Sequence, residues 1–143
     1  MAKARGRPKR YPRDLLDDVA WNFDPPRFRS QARFEEAVRE LYRDMGWEFE
    51  WRPAQVVLRC PRVRARPDFW DDYPPEEAPR FVTELTADDP AGFTAVELLF
   101  KVHNAFLRRW QEDAGDHTFF EGFHLADAPA GDTAPLYTIC LGS

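Results

Sequence analysis

Two segments of the sequence repeat their apolar side chains every three or four residues, which is the spacing of a helix with one buried face. The first predicts a helix over 31–45 that starts after the N-cap Ser30 and stops at Gly46, a residue suited to a left-handed C-cap. The second predicts a helix over 95–110, with Thr94 as its N-cap and Glu97 completing a capping box. Its wider apolar arc makes the second helix the most buried predicted element.

Outside these helices the apolar residues alternate, as they do in strands. The alternation over 47–51 predicts one strand, and Pro53 predicts a turn into a second strand over 56–60, so that the two would form a β-hairpin. The prolines on either side of 62–66 confine that stretch to a sheet edge or a loop. Further strands are predicted over 81–86, 118–125 and 136–141.

These elements fit an α+β fold in which helices and one sheet cover each other. We expect a two-layer sandwich whose sheet has about five strands, mainly antiparallel or mixed, with the two helices on one face. The other face should be solvated, or covered by the lead-in over 14–29 and a long acidic loop over 68–79.

The charge is divided unequally along the chain. The 143 residues carry a net charge of -5, yet residues 1–13 hold six lysines and arginines and no acid, which leaves -11 for the remainder. A basic leader with almost no apolar side chains cannot order itself alone. We therefore expect a disordered arm over 1–13 and a single α+β domain over 14–143. We expect a cytoplasmic protein, because the sequence has neither an apolar membrane span nor an export signal.

Within the arm, residues 5–10 read Arg-Gly-Arg-Pro-Lys-Arg. This run resembles the AT-hook, a motif whose extended Gly-Arg-Pro core lies in the minor groove of A·T-rich DNA. The resemblance implies weak, salt-sensitive DNA binding, and the alternative is a basic tail that improves solubility. The residues implied are the groove arginines Arg5 and Arg7, the shape-setting Gly6 and Pro8, and the phosphate-contacting Lys9 and Arg10.

A second candidate site lies in the acidic loop, where carboxylates surround aromatic rings. Acids steer an encounter with a basic protein and aromatics anchor it. The alternative is a solvated loop whose aromatics fold back onto the core. The residues that we expect to bind a partner are Asp68, Phe69, Trp70, Asp71, Asp72 and Tyr73.

The predicted order of helix, three strands, helix and strand is similar to the core of the PD-(D/E)xK nucleases. That resemblance implies Mg²⁺ ligands at Asp68, after the second strand, and at Glu84, on the third. Thr86 stands where that family has a lysine, and the only lysine in the predicted body is Lys101. A Mg²⁺-dependent nuclease is therefore the alternative function.

The remaining reactive residue types do not form a known catalytic pattern. His103 falls in the apolar arc of the second helix and should be buried and neutral, while Cys60 and Cys140 are predicted to be buried thiols. We predict no catalytic residue, metal or cofactor. The predicted function is a non-catalytic acidic binding module for a protein partner, basic in the simplest case, with weak DNA affinity through the arm. By analogy at the level of class, small acidic α+β proteins of this kind often serve as inhibitors or immunity factors against toxins.

Overall fold

The structure is a computed structural model that describes residues 11–48, 50–68, 82–112, 118–129 and 133–142. It is an α+β sandwich with a mixed sheet, as the sequence predicts. In chain order the elements are β1 (Asp14–Leu15), β2 (Trp21–Asn22), α1 (Gln31–Met45), β3 (Val56–Leu58), β4 (Arg62–Pro67), β5 (Thr83–Thr86), β6 (Phe93–Thr94), α2 (Ala95–Ala105), α3 (Leu107–Glu112), β7 (Phe119–Asp127) and β8 (Leu136–Gly142).

The main sheet has the strand order β1-β7-β8-β4-β5, and β2 also pairs with β7. The neighbours β7 and β8 are antiparallel, β8 and β4 are parallel, and β4 and β5 are antiparallel. The short strands β3 and β6 form a separate antiparallel ladder. The lead-in thus reaches the sheet through β1 and β2, at the β7 side.

Helix α1 begins and ends where the sequence predicts. Ser30 Oγ accepts a hydrogen bond from Arg33 N at 3.2 Å, which satisfies one of the free N–H groups of the first turn. Gly46 closes the helix with φ at 71°, a left-handed conformation that glycine adopts without steric cost. Phe34, Val38 and Tyr42 form its buried face.

The core between helices and sheet is rich in aromatic rings. Trp21 lies 4.9 Å from Phe34 and 5.9 Å from Phe28, measured between ring centroids. His103, which is fully buried, packs against all three of these rings. Because Trp21 belongs to the lead-in, this segment is part of the core and does not cover the opposite sheet face.

The second predicted helix is divided in two. Thr94 and Glu97 form the predicted capping box, but α2 ends at Ala105 and α3 starts at Leu107. The offset at Phe106 lets the Trp110 ring stack on Phe23 with centroids 4.3 Å apart. Trp110 Nε1 also donates to the His103 carbonyl at 3.2 Å, which occupies an acceptor that a continuing helix would have used.

The predicted hairpin over 47–60 is wrong. The described residues of 47–51 lie outside any strand, and β3 pairs with β6 across a long stretch of sequence. The alternation fails because its aromatics have different environments: Trp51 is buried in the core, whereas Trp47 is 45% exposed at the end of α1. Phe49 lies outside the described residues.

The predicted edge position of 62–66 is also wrong, because β4 lies in the interior of the sheet between β8 and β5. Pro61 precedes the strand, and its carbonyl accepts a hydrogen bond from Ala87 N at 2.8 Å. Pro67 is the last strand residue, where the parallel ladder ends at Ile139. The two prolines therefore bound the strand and remove no hydrogen bond from its middle.

Charged side chains lie on the face of β4 that points away from the buried core. Arg62, Arg64 and Arg66 alternate along β4 with buried Val63 and Ala65. Two of the arginines reach carboxylates on other strands, since Arg62 lies 3.2 Å from one on β5 and Arg64 lies 3.8 Å from one on β7. This face is consequently polar and carries both signs of charge. No helix in the described ranges combines the length and apolar character needed to cross a membrane.

Candidate binding groove

A groove of about 440 Å³ opens between β1, β3 and the start of α2. The segment that enters β1 forms one wall, and the turn that leads into β3 forms the other. Apolar side chains form part of its lining, among them Trp51, which is 7% exposed. The lining residues are Pro12, Asp14, Leu15, Leu16, Asp18, Val19, Glu50, Trp51, Arg52, Gln55, Val56, Val57 and Ala95.

The charged groups of this groove are mainly acidic. Among the described residues that line it, Asp14, Asp18 and Glu50 contribute three carboxylates and Arg52 contributes one cation. Asp14 Oδ1 lies 3.1 Å from His124 Nδ1, whereas Asp18 and Glu50 form no ion pair with any described residue. The groove therefore has a net negative charge beside a large aromatic side chain.

The buried side chain of Tyr42, on α1, also lies near the carboxylates of the groove. Burial raises the pKa of Tyr42, the nearby charges of Asp18 and Glu50 raise it further, and the hydrogen bond from Ala20 N to the phenol oxygen lowers it. Burial is the largest of these effects. Asp18 and Glu50 are therefore close enough to Tyr42, on α1, for their charges to act on its phenol.

The backbone at the start of α2 offers the groove no free donor. Ala95 N donates to Gln55 O at 2.8 Å, and Val96 N donates to Pro53 O at 3.0 Å. Glu97 N donates to Thr94 Oγ1 within the capping box. Since the first N–H groups of the helix are already used, the groove presents acceptors and is suited to a cation or a hydrogen-bond donor.

A smaller, basic depression of about 330 Å³ lies beside the start of α1. Arg27, Arg29 and Arg33 line it together with Glu36 and Glu40. Cations outnumber carboxylates in this depression, whereas carboxylates outnumber cations in the groove, so the depression provides a reference surface for charge substitutions.

The structure leaves most of the two predicted binding sites undescribed. Phe69, Trp70, Asp71, Asp72 and Tyr73 lie outside the described residues, as do all six residues of the AT-hook-like run. Asp68 is described at the end of β4, where its carboxylate accepts a hydrogen bond from Leu141 N at 3.2 Å. Both assignments remain predictions.

The residues of the nuclease-like pattern are not brought together. Glu84 pairs with Arg62, and the register that sets Glu84 against Arg64 puts Asp68 four residues, or about 13 Å, farther along the neighbouring strand. Lys101 Nζ instead lies 2.9 Å from Asp88 and 3.0 Å from Glu97. Within the described ranges no three carboxylate, histidine or cysteine side chains are placed to share a metal ion.

The other candidate side chains are accounted for by packing. His103 is buried as predicted and bonds to a backbone acceptor, Pro26 O, at 3.1 Å. Cys60 is a buried thiol, but Cys140 is only half-buried because it lies on the open face of β8.

Sequence reasoning missed the groove. Its acids belong to two segments, the lead-in and the turn before β3, that the prediction treated as a packing segment and a strand. A local signal existed in the acids of Asp17, Asp18, Glu48 and Glu50 near aromatic residues. Their convergence depends on contacts between distant segments, which no local pattern encodes.

Comparison with known proteins does not assign the groove a role. No family model matches the sequence, and no curated protein or solved structure matches the chain at a significant level.

Proposed function

We propose that this protein is a binding module that holds a basic, extended segment of a partner protein in its acidic groove, and that the arm adds weak affinity for DNA. The observation that supports this function is the groove itself, in which Asp18 and Glu50 have no described ion-pair partner and Trp51 lies beside them. An arginine or lysine side chain satisfies the carboxylates and can pack its aliphatic part on apolar walls.

The proposed partner is a protein segment because of the groove's mixed lining. Apolar side chains from β1, β3 and α2 would contact the aliphatic parts of the bound chain, while the carboxylates would set its charge preference. The acidic loop that contains Asp68 and Tyr73 would extend the same preference for basic partners. Among protein classes, an inhibitor or immunity-type protein that captures a basic target fits this arrangement by analogy.

The test is the binding of a fluorescein-labelled peptide in which arginine and glycine alternate, followed by fluorescence anisotropy. The double change Asp18→Asn and Glu50→Gln removes two groove carboxylates. Exposed contacts of this kind contribute about 0.2–1 kcal/mol each. The Kd should therefore rise roughly two- to thirtyfold.

The matched control is the double change Glu36→Gln and Glu40→Gln, which alters the net charge equally but at the other depression. At physiological salt the Debye length is about 8 Å, so remote charges should have a small effect. Equal weakening by both pairs would contradict the proposal, because it would mean that the peptide responds only to net charge.

A further inference from the structure

We infer that the chain's own basic arm, residues 1–10, occupies the acidic groove and competes there with the partner. This inference rests on the groove of the proposed function and adds a self-inhibiting occupant. The described chain begins at Tyr11, and Pro12 is already one of the residues that line the groove. The arm is therefore attached at the rim of the surface that it would occupy.

The charges of arm and groove are complementary. Residues 1–10 contain five cations, Lys3, Arg5, Arg7, Lys9 and Arg10, and no acid. The groove offers the carboxylates of Asp18 and Glu50, neither of which is paired with a described residue. The arm is therefore the segment of the chain that suits the groove by its opposite charge, and not by its apolar area.

The attachment also makes the contact favourable without high intrinsic affinity. Lys9 is three residues from Pro12, a reach of roughly 10 Å in an extended chain. A short tether of this kind gives an effective concentration of about 1 mM. If the arm alone binds the groove with a Kd of about 0.1 mM, it would occupy the groove most of the time and raise the apparent Kd of a competing peptide roughly tenfold.

The direct test is zero-length carbodiimide cross-linking of the full chain, followed by peptide mass spectrometry. Lysine is scarce, since Lys3, Lys9 and Lys101 are the only three, so products are easily assigned. We expect links from Lys9 or Lys3 to Asp18 or Glu50 at low salt and their loss at high salt. Lys101, which lies 2.9 Å from Asp88 and 3.0 Å from Glu97, provides an internal control for the reaction.

Two results would overturn the inference. One is a strong Lys101 product without any groove link from the arm, or with arm links spread evenly over carboxylates such as Glu36 and Glu112. The other result concerns a mixture of ¹⁵N-labelled and unlabelled chains. It is that the groove links join labelled to unlabelled chains as often as random pairing between molecules predicts. That pattern would assign the groove to the arm of a second copy.

Peptide affinity separates this inference from the proposed function. The triple change Arg7→Ala, Lys9→Ala and Arg10→Ala should tighten binding of the arginine-glycine peptide roughly tenfold. The control triple change Arg27→Ala, Arg29→Ala and Arg33→Ala, with the same change in net charge, should have a much smaller effect. If both triple changes alter the Kd of the peptide equally, the arm does not occupy the groove. If the Asp18→Asn and Glu50→Gln changes leave the Kd unaltered, the groove is not the partner site.

Discussion

Two hydrogen bonds in the core determine the tautomer of His103. Trp21 Nε1 donates to Nδ1 at 3.2 Å, so Nδ1 is the unprotonated nitrogen, and Nε2–H donates to Pro26 O at 3.1 Å. A second proton would have to replace the indole donor. Burial lowers the pKa of His103, although hydrogen bonds to the Pro26 and Pro25 carbonyls act in the opposite direction. The neutral ring therefore connects the lead-in to α2.

We predict that stability falls on acidification because of this histidine. Its pKa is about 6.5 in the unfolded chain and lower in the folded protein, so between those two values the unfolded chain binds more protons. The contribution of neutral His103 to the free energy of unfolding is complete above pH 6.5. It is lost as the pH falls toward the folded-state pKa, at up to about 1.4 kcal/mol per pH unit. Urea denaturation at successive pH values measures this slope.

The variant His103→Gln should be less stable at neutral pH and should show a shallower slope below pH 6.5. His124→Gln is the matched control, since His124 is exposed and pairs with Asp14 at the surface. If His103→Gln leaves the slope of the unfolding free energy against pH unchanged, other groups cause the pH dependence.

At the scale of the elements, the ladder between β3 and β6 depends on a close backbone approach. Gly92 precedes β6 with φ at 151°, and a Cβ atom there would collide with the carbonyl oxygen of Leu58. The ladder also positions the start of α2, whose first N–H groups bond to Pro53 and Gln55 in the turn before β3. One wall of the groove consequently depends on this glycine.

We predict that Gly92→Ala lowers the free energy of unfolding by more than Gly46→Ala does. At Gly46 the added methyl group meets nothing within 4 Å, so only the left-handed backbone is penalised, by about 1 kcal/mol. At Gly92 a collision with the backbone adds to the conformational penalty, for a total of about 2–4 kcal/mol. Urea denaturation with comparison of m-values measures both, and equal losses would mean that β3 can move away at little cost.

At the scale of the whole molecule, the charge division underlies the two binding preferences that we propose. The arm, with its AT-hook-like run, would favour DNA, whereas the groove would favour cations. Residues 14–143 carry a net charge of -11 and would repel DNA phosphates. We therefore assign any DNA affinity to the arm.

We predict weak DNA binding that depends on salt. The logarithm of the association constant, plotted against the logarithm of the salt concentration, should have a slope of up to about -5, since six cations could each neutralise a phosphate. Lys9→Ala with Arg10→Ala should reduce the slope by about 2, and Arg5→Ala with Arg7→Ala should remove the preference for A·T-rich over G·C-rich duplexes. Anisotropy titrations over a range of salt concentrations measure both effects. Arg27→Ala with Arg29→Ala is the control, and an equal loss from that pair would refute the assignment to the arm.

The sequence by itself determined the features that depend on neighbouring residues. The caps at Ser30, Gly46 and Thr94, the apolar faces of α1 and α2, and the strands β7 and β8 follow from periodicity and local hydrogen bonding, and so does the α+β class. The buried position of His103 was likewise predictable from its place in an apolar arc.

Only the tertiary structure decided which segments meet. It pairs β3 with β6, places β4 inside the sheet, and divides the second helix at Phe106 so that Trp110 can stack on Phe23. It also brings the acids of the lead-in and of the turn before β3 to one groove. Strand partners and grooves arise from packing between segments far apart in the chain, and these interactions leave no regular period in the sequence.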